Sequence, residues 1–136
     1  MYELFEHTAD LGLRVRAATL DELFADAARG LFAIVVTNLD SVRPVVERTY
    51  NLAGTELDYL FFDWLTELLY TFESERLLLA EFQVRVDDHG LHAVCRGETV
   101  DAVRHQLEHE VKAVTYHGLK VQPTNSGWLA EVIVDI

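Results

Sequence analysis

The stretch from Leu57 to Phe72 constrains this chain more than any other. Leu57, Leu60, Phe61, Trp64, Leu65, Leu68, Leu69 and Phe72 recur at helical spacing and make a wide apolar stripe. Thr55-Glu56-Leu57-Asp58 precedes it as a helix-capping signal. The opposite side carries Asp58, Asp63 and Glu67. A helix with so broad an apolar side is stable only when a second layer covers it.

Alternating segments supply that layer. Leu4 to Ala17 reads as extended, with Leu11, Leu13, Val15 and Ala17 facing one way and Arg14 and Arg16 between them. The polar break Glu6-His7-Thr8-Ala9-Asp10 interrupts it. Thr19-Leu20-Asp21-Glu22 is a capping box that opens a helix over 20–35, with Leu23, Phe24, Ala27, Leu31 and Ile34 turned inward. Val45 to Leu52 reads as a strand, with Val46, Tyr50 and Leu52 on one face. Phe82, Val84 and Val86 alternate toward the turn Asp87-Asp88-His89-Gly90, and Leu91 to Arg96 returns as a hairpin partner. Asp101 to Glu110 suits a short helix with Val103 and Leu107 buried. Lys112 to Gln122 is extended, with Lys112, Val114 and Tyr116 on one face. Asn125-Ser126-Gly127 turns into a last strand, Trp128 to Ile136. The expected fold is an α+β two-layer sandwich. It has a mixed or antiparallel sheet of about seven strands, with two long helices and one short helix on one face. With 136 residues and no Pro/Ser/Gly linker, one domain over 1–136 is expected.

The charge balance narrows the partners. The chain has 23 Asp and Glu against 11 Lys and Arg, a net charge of −12. DNA, RNA and the inner membrane leaflet are anionic and repel such a chain, so direct nucleic-acid or membrane binding is disfavoured. A divalent cation or a basic protein surface is the natural partner. No apolar run is long enough to span a bilayer, and Met1-Tyr2-Glu3 lacks the basic start of a signal peptide. The one cysteine, Cys95, permits neither an internal disulfide nor a cysteine metal cage, and its apolar neighbours make it a core filler. A cytoplasmic protein is expected.

Three groups of residues can carry chemistry. Asp10, Asp135 and the terminal carboxylate of Ile136 are hard oxygen donors of the kind that calcium and magnesium take. They form one site if the first and last strands pair. Otherwise Asp10 caps a turn and the terminus lies in water. His105-Gln106-Leu107-Glu108-His109 matches the H-x-x-E-H pattern of inverted-motif zinc peptidases, in which Glu108 would be the general base. The same residues also fit an exposed amphipathic helix with two solvated histidines. Lys112 would pair with a neighbouring acidic cluster, contact a phosphate, or serve as an ordinary surface lysine. His7 fits a metal ligand, a phosphate-contacting donor or a hydrogen-bonded structural histidine.

Phe5-Glu6-His7-Thr8-Ala9-Asp10-Leu11-Gly12, the stretch from Glu56 to Leu69, Glu110-Val111-Lys112-Ala113-Val114-Thr115-Tyr116-His117 and the closing Val134-Asp135-Ile136 together resemble the archease family. The resemblance covers essentially the whole chain. It implies a two-layer α/β fold and a non-enzymatic protein cofactor of the RtcB-type RNA ligase. That ligase joins a 3′-phosphate or 2′,3′-cyclic phosphate end to a 5′-hydroxyl in tRNA splicing, after attaching GMP to its own histidine with GTP and Mn²⁺. The resemblance further implies promotion of that guanylylation and a divalent-cation site, calcium first with magnesium or manganese as alternatives. The ligands would be Asp10, Asp135 and Ile136. Lys112 would be needed for activation, with His7 and His117 beside it. The competing readings are a stand-alone metal-dependent hydrolase, either the H-x-x-E-H peptidase or a carboxylate phosphohydrolase, and a metal-independent chaperone-like interaction module.

Overall fold

The computed structural model describes residues 1–7 and 10–136; Thr8 and Ala9 of the polar break lie outside the described residues. Among the described residues, eight strands form two antiparallel sheets rather than one. Leu4 to Ala17 is a hairpin, β1 (Tyr2–His7) and β2 (Asp10–Ala17). The last strand, β8 (Gly127–Asp135), pairs with β2 on one edge. Its other edge is shared by β6 (Ala113–Val114) and β7 (Lys120–Thr124), so the extended stretch after Lys112 is two strands. The second sheet has the order β3 (Val46–Ala53), β5 (Gly90–Thr99), β4 (Leu77–Asp87).

Helix α1 (Leu20–Val35) begins as the capping box requires: the Thr19 hydroxyl accepts from the Glu22 amide at 3.2 Å. It packs against β1 and β2 of one sheet and β4 of the other. Leu23, Phe24, Ala27, Ala28, Leu31 and Ile34 are all essentially inaccessible. A helix buried on more than one side is apolar nearly all round, and this explains why two sheets, not one, surround it.

Helix α2 (Leu57–Glu75) buries Leu60, Phe61, Trp64, Leu65, Leu68, Leu69 and Phe72, as its stripe demands. The Trp64 indole N–H donates to the Phe24 carbonyl at 2.9 Å and locks α2 to α1. The expected Thr55–Asp58 cap does not form. Glu56 occupies the N-cap without a side-chain bond, and Asp58 accepts from the Val121 amide of β7 at 2.7 Å. Cys95 is fully buried in the core, and burial pushes its thiol up to about 12.

The short helix expected over Asp101–Glu110 is absent. Val103 is 93% exposed, and Leu107, 46% exposed, forms an isolated bridge with Val36. The reason lies at the end of α1, whose last carbonyls need donors from outside the helix. Glu108 N–H donates to the Val35 carbonyl at 2.8 Å and His109 N–H to the Ile34 carbonyl at 3.2 Å. The amides that would build the local helix are spent on capping another.

Candidate functional site

The five-stranded sheet turns one face to the helices and leaves the other open. Leu13, Val15, Val132 and Val134 are inaccessible on the inner face. The alternate residues form rows across the open face. Glu3 pairs with Arg14, Arg14 with Glu131, and Glu131 with Lys120, at 3.3–3.4 Å, in one charge ladder over four strands. Burial would raise the Glu131 pKa, but the bonds and charges of Arg14 and Lys120 outweigh it and hold the carboxyl below its ordinary range. One row further, Phe5 lies opposite Gly12.

The next row lies at the end of the sheet and holds the residues expected to matter. His7 faces Asp10 across the β1–β2 hairpin. The β2–β8 ladder closes with Leu11 opposite Val134, so Asp10 and Asp135, one step further along each strand, leave the same end of the sheet. Ala113 faces Asp135 from the other edge of β8. The Lys112 amide donates to the Asp135 carbonyl at 2.7 Å. The His117 ring meets the His7 ring edge-on, centroids 5.9 Å apart. Both strand ends and the 112–117 segment therefore converge on one polar tip. Asp135 and Ile136 are half-buried, whereas Lys112 and His117 are exposed.

The ladders explain the convergence. Val132 and Val134, with Ile133 on the other face, anchor the final strand between β2 and β6 almost to its end. Thr115, which no motif singled out, fixes the approach of His117. Its hydroxyl donates to the Ile133 carbonyl at 2.9 Å and accepts from the His117 amide at 3.2 Å. The His7 Nδ1 atom is buried and makes no hydrogen bond to the described residues.

The tip's donors are of the hard-oxygen class that suits calcium or magnesium. Among the described residues no three His, Cys, Asp or Glu side chains gather as a metal cage. Two side-chain carboxylates and the Ile136 carboxylate are what the tip offers, a set that fits a divalent cation completed by carbonyls or water. Carboxylates brought together near a protein surface repel one another, and a cation or a partner's cationic group relieves that repulsion.

The H-x-x-E-H segment does not build a zinc site. Its residues are not helical, and the two imidazoles share no face. The His105 side chain is fully buried; its Nδ1 accepts from the Asp101 amide at 2.8 Å and its Nε2 lies 3.4 Å from Glu98. His109 and Glu108 are part-exposed beside each other, 3.8 Å apart. The zinc-peptidase reading is thereby corrected: His105 is a structural histidine. Lys112, Val114 and Tyr116 also do not share one face, because β6 spans only Ala113 and Val114, with Val114 buried and Lys112 and Tyr116 exposed.

Among the described residues no helix is long and apolar enough to cross a membrane. Residues 2–136 match the model of the Archease protein family (MTH1598/TM1083). The chain is 39% identical over 139 residues to a protein archease of Methanopyrus kandleri, with 99% of each chain covered. It is 35% identical over 140 residues to that of Pyrococcus furiosus, covering 99% of this chain and 98% of the relative. The solution structure of Methanobacterium thermoautotrophicum protein 1598 superposes with a TM-score of 0.83 at 32% identity, covering 99% of this chain and 98% of that one. A Thermotoga maritima crystal structure, described as an archease and possible chaperone, shares the fold with a TM-score of 0.68 at 20% identity, covering 100% and 98%.

Proposed function

The chain belongs to the archease family, and from that premise we propose that it activates an RtcB-type RNA ligase in tRNA splicing and RNA repair, catalysing no reaction of its own. It promotes guanylylation of the ligase with GTP and so permits repeated turnover. It works in the cytoplasm, and the ligase, not this acidic chain, holds the RNA.

The observation that supports this reading is the tip itself. His7, Asp10, Lys112, His117 and Asp135 come from three stretches of the sequence, the first hairpin, the 112–117 segment and the last strand, and meet at one end of a sheet. Val114 and Val134 beside it belong to the core and Ile136 packs against that core, while Lys112 and His117 stay exposed. The main chain holds Lys112 while its side chain, exposed and without an ion pair among the described residues, can meet a phosphate. The His7–His117 pair offers further donors. A divalent cation, calcium first with magnesium or manganese as alternatives, would be held by Asp10, Asp135 and the Ile136 carboxylate, and would offset phosphate charge when the tip meets the nucleotide. The net charge of −12 steers the chain toward the basic surroundings of an RNA-holding site.

The test mixes this chain with the cognate ligase, GTP, Mn²⁺ and an RNA carrying a 2′,3′-cyclic phosphate end. Ligase–GMP and joined RNA are followed over many turnovers. Substoichiometric chain is expected to sustain turnover, and Lys112→Ala and Asp10→Ala to abolish it while remaining folded. A ligase whose guanylylation ignores the wild-type chain overturns the proposal. Full activation in chelator, with only the ligase's Mn²⁺ restored, removes the cation from it.

A further inference from the structure

A second feature lies on the far side of the loop that carries His117. A cleft of about 420 Å³ opens between the start of α2 and residues 116–119, lined by Glu56, Asp58, Tyr59, Tyr116 and Leu119. Tyr116 lies flat on Phe62, ring centroids 4.0 Å apart and planes 12° apart, and meets Tyr59 edge-on at 6.1 Å. One face of Tyr116 is thus covered. Yet Tyr116 is still 59% exposed and Tyr59 56% exposed, so the aromatic pair presents open ring surface to solvent.

The charge around these rings is one-sided. The positive end of a helix dipole amounts to about half a unit charge. Glu56 and Asp58 set two full negative charges against it, and neither forms an ion pair among the described residues. Helix α2 continues in the same sense, with Asp63, Glu67, Glu73 and Glu75 and no Lys or Arg from Leu57 to Glu75. Of these, only Glu75 has a cation among the described residues, Arg48. Glu73 and Glu75 sit where the helix dipole disfavours acids, so helix stability does not account for this charge. Tyr70, 64% exposed, continues the aromatic element along the same acidic helix.

We propose that this cleft receives an arginine or lysine side chain from a basic segment of a partner protein, with the acidic side of α2 guiding that segment. Open aromatic faces attract a cation, and adjacent carboxylates pair with it. Exposed tyrosines are also frequent binding hot spots. The cleft and the polar tip flank one loop: Tyr116 turns to Phe62 of α2, and the next residue, His117, turns to His7. A partner anchored in the cleft is therefore held beside the tip. The identity of that partner, and only that, rests on the function proposed above.

Two measurements test it. Tetra-arginine peptide is titrated into the isotopically labelled chain at low salt and followed by NMR. The largest shifts are expected at the Tyr59 and Tyr116 rings and the Leu119 methyls, with loss of this focus in Tyr59→Ala. Shifts spread evenly over the surface carboxylates, or absent from the cleft, overturn the inference. In the ligase assay, Tyr59→Ala and Glu56→Lys are expected to raise the concentration for half-maximal activation about tenfold, without lowering the maximal rate. Both residues are exposed, so thermal melts should stay close to wild type, with Glu56→Lys lower by the few degrees expected of a cation at the N-terminus of α2. Half-saturation unchanged in both variants overturns the inference even when the wild type activates. A ligase that ignores the wild-type chain defeats the proposed function, and the peptide titration then decides this inference alone.

Discussion

The main-chain amide of Lys112 donates to the carbonyl oxygen of Asp135 over 2.7 Å, and Ala113 faces Asp135 in the β6–β8 ladder. Backbone alone therefore sets the lysine of the tip beside the penultimate residue. The Asp135 side chain is free of that duty. Asp135→Asn should melt within roughly 2 °C of wild type, as surface substitutions usually do, yet lose at least about tenfold in ligase activation, as expected for a removed charge contact. Deleting residues 135 and 136 also removes the acceptor of the Lys112 amide, at a cost of about 1 kcal/mol. Urea unfolding of the two variants checks this. Equal destabilisation would make the carboxylate a structural group and take it out of the site.

Calcium should stabilise the folded chain. A ligand present at a hundredfold its dissociation constant adds about 2.7 kcal/mol, which for a domain of this size is a rise of roughly 5–15 °C in melting temperature. The rise should reverse with chelator and shrink to near zero in Asp10→Asn. Differential scanning calorimetry with calcium, and separately with magnesium, measures it. A melting temperature that ignores millimolar calcium would leave the tip without a cation and Asp10 with a purely electrostatic part in docking.

Local rules made most of the fold legible. The Thr19 cap, the apolar stripe of α2 and the alternation around Val84 are consequences of neighbouring residues, and all three stand in the structure. The segment 101–110 departs from its helical pattern because the Glu108 and His109 amides go to carbonyls of α1 that lie some seventy residues earlier in the sequence. The split into two sheets was hidden for a similar reason, since periodicity does not say how many faces of α1 are covered. Residue chemistry offered Asp10, Asp135 and Ile136 as one site only on the condition that the first and last strands pair. Nothing local tells Asp10 that it will leave the sheet beside Asp135, because that follows from the register of strands at opposite ends of the chain. Strand alternation placed Tyr116 beside Lys112, but its position comes from lying flat on Phe62, a contact between a loop and a distant helix.

Gly12 is required by the ring across from it. An added Cβ would come 2.2 Å from Cζ of Phe5, which covers the glycine and carries the Arg14 guanidinium 4.6 Å from its ring centre. Gly12→Ala should therefore cost about 1–3 kcal/mol by overpacking. In a Phe5→Ala background the same change should cost well under about 1 kcal/mol, because the obstacle is gone. A double-mutant cycle by urea unfolding reads the coupling. Strict additivity would mean that the ring moves aside freely. Because this hairpin ends in His7 and Asp10, Gly12→Ala should also weaken activation.

Glu98 should make the fold acid-sensitive. It is buried, accepts from the Arg43 amide at 2.5 Å, pairs with Arg104 and lies 3.4 Å from the His105 ring. Burial alone would raise its pKa, but Arg104, the Arg43 amide and His105 outweigh that and hold it below the usual value of 4.5. The unfolded chain then binds the proton first as pH falls. The contribution of Glu98 is full above about pH 5, begins to fade near the unfolded value and disappears as pH drops through the folded one. Glu131 acts in the same sense through Arg14 and Lys120. Urea midpoints between pH 7 and pH 3 should fall steeply in the wild type. In Glu98→Gln they should start lower at pH 7 and fall less steeply, since one titrating group is gone. An acid slope in Glu98→Gln as steep as the wild type's would assign the sensitivity to the open-face ladder of Arg14, Glu131 and Lys120 instead.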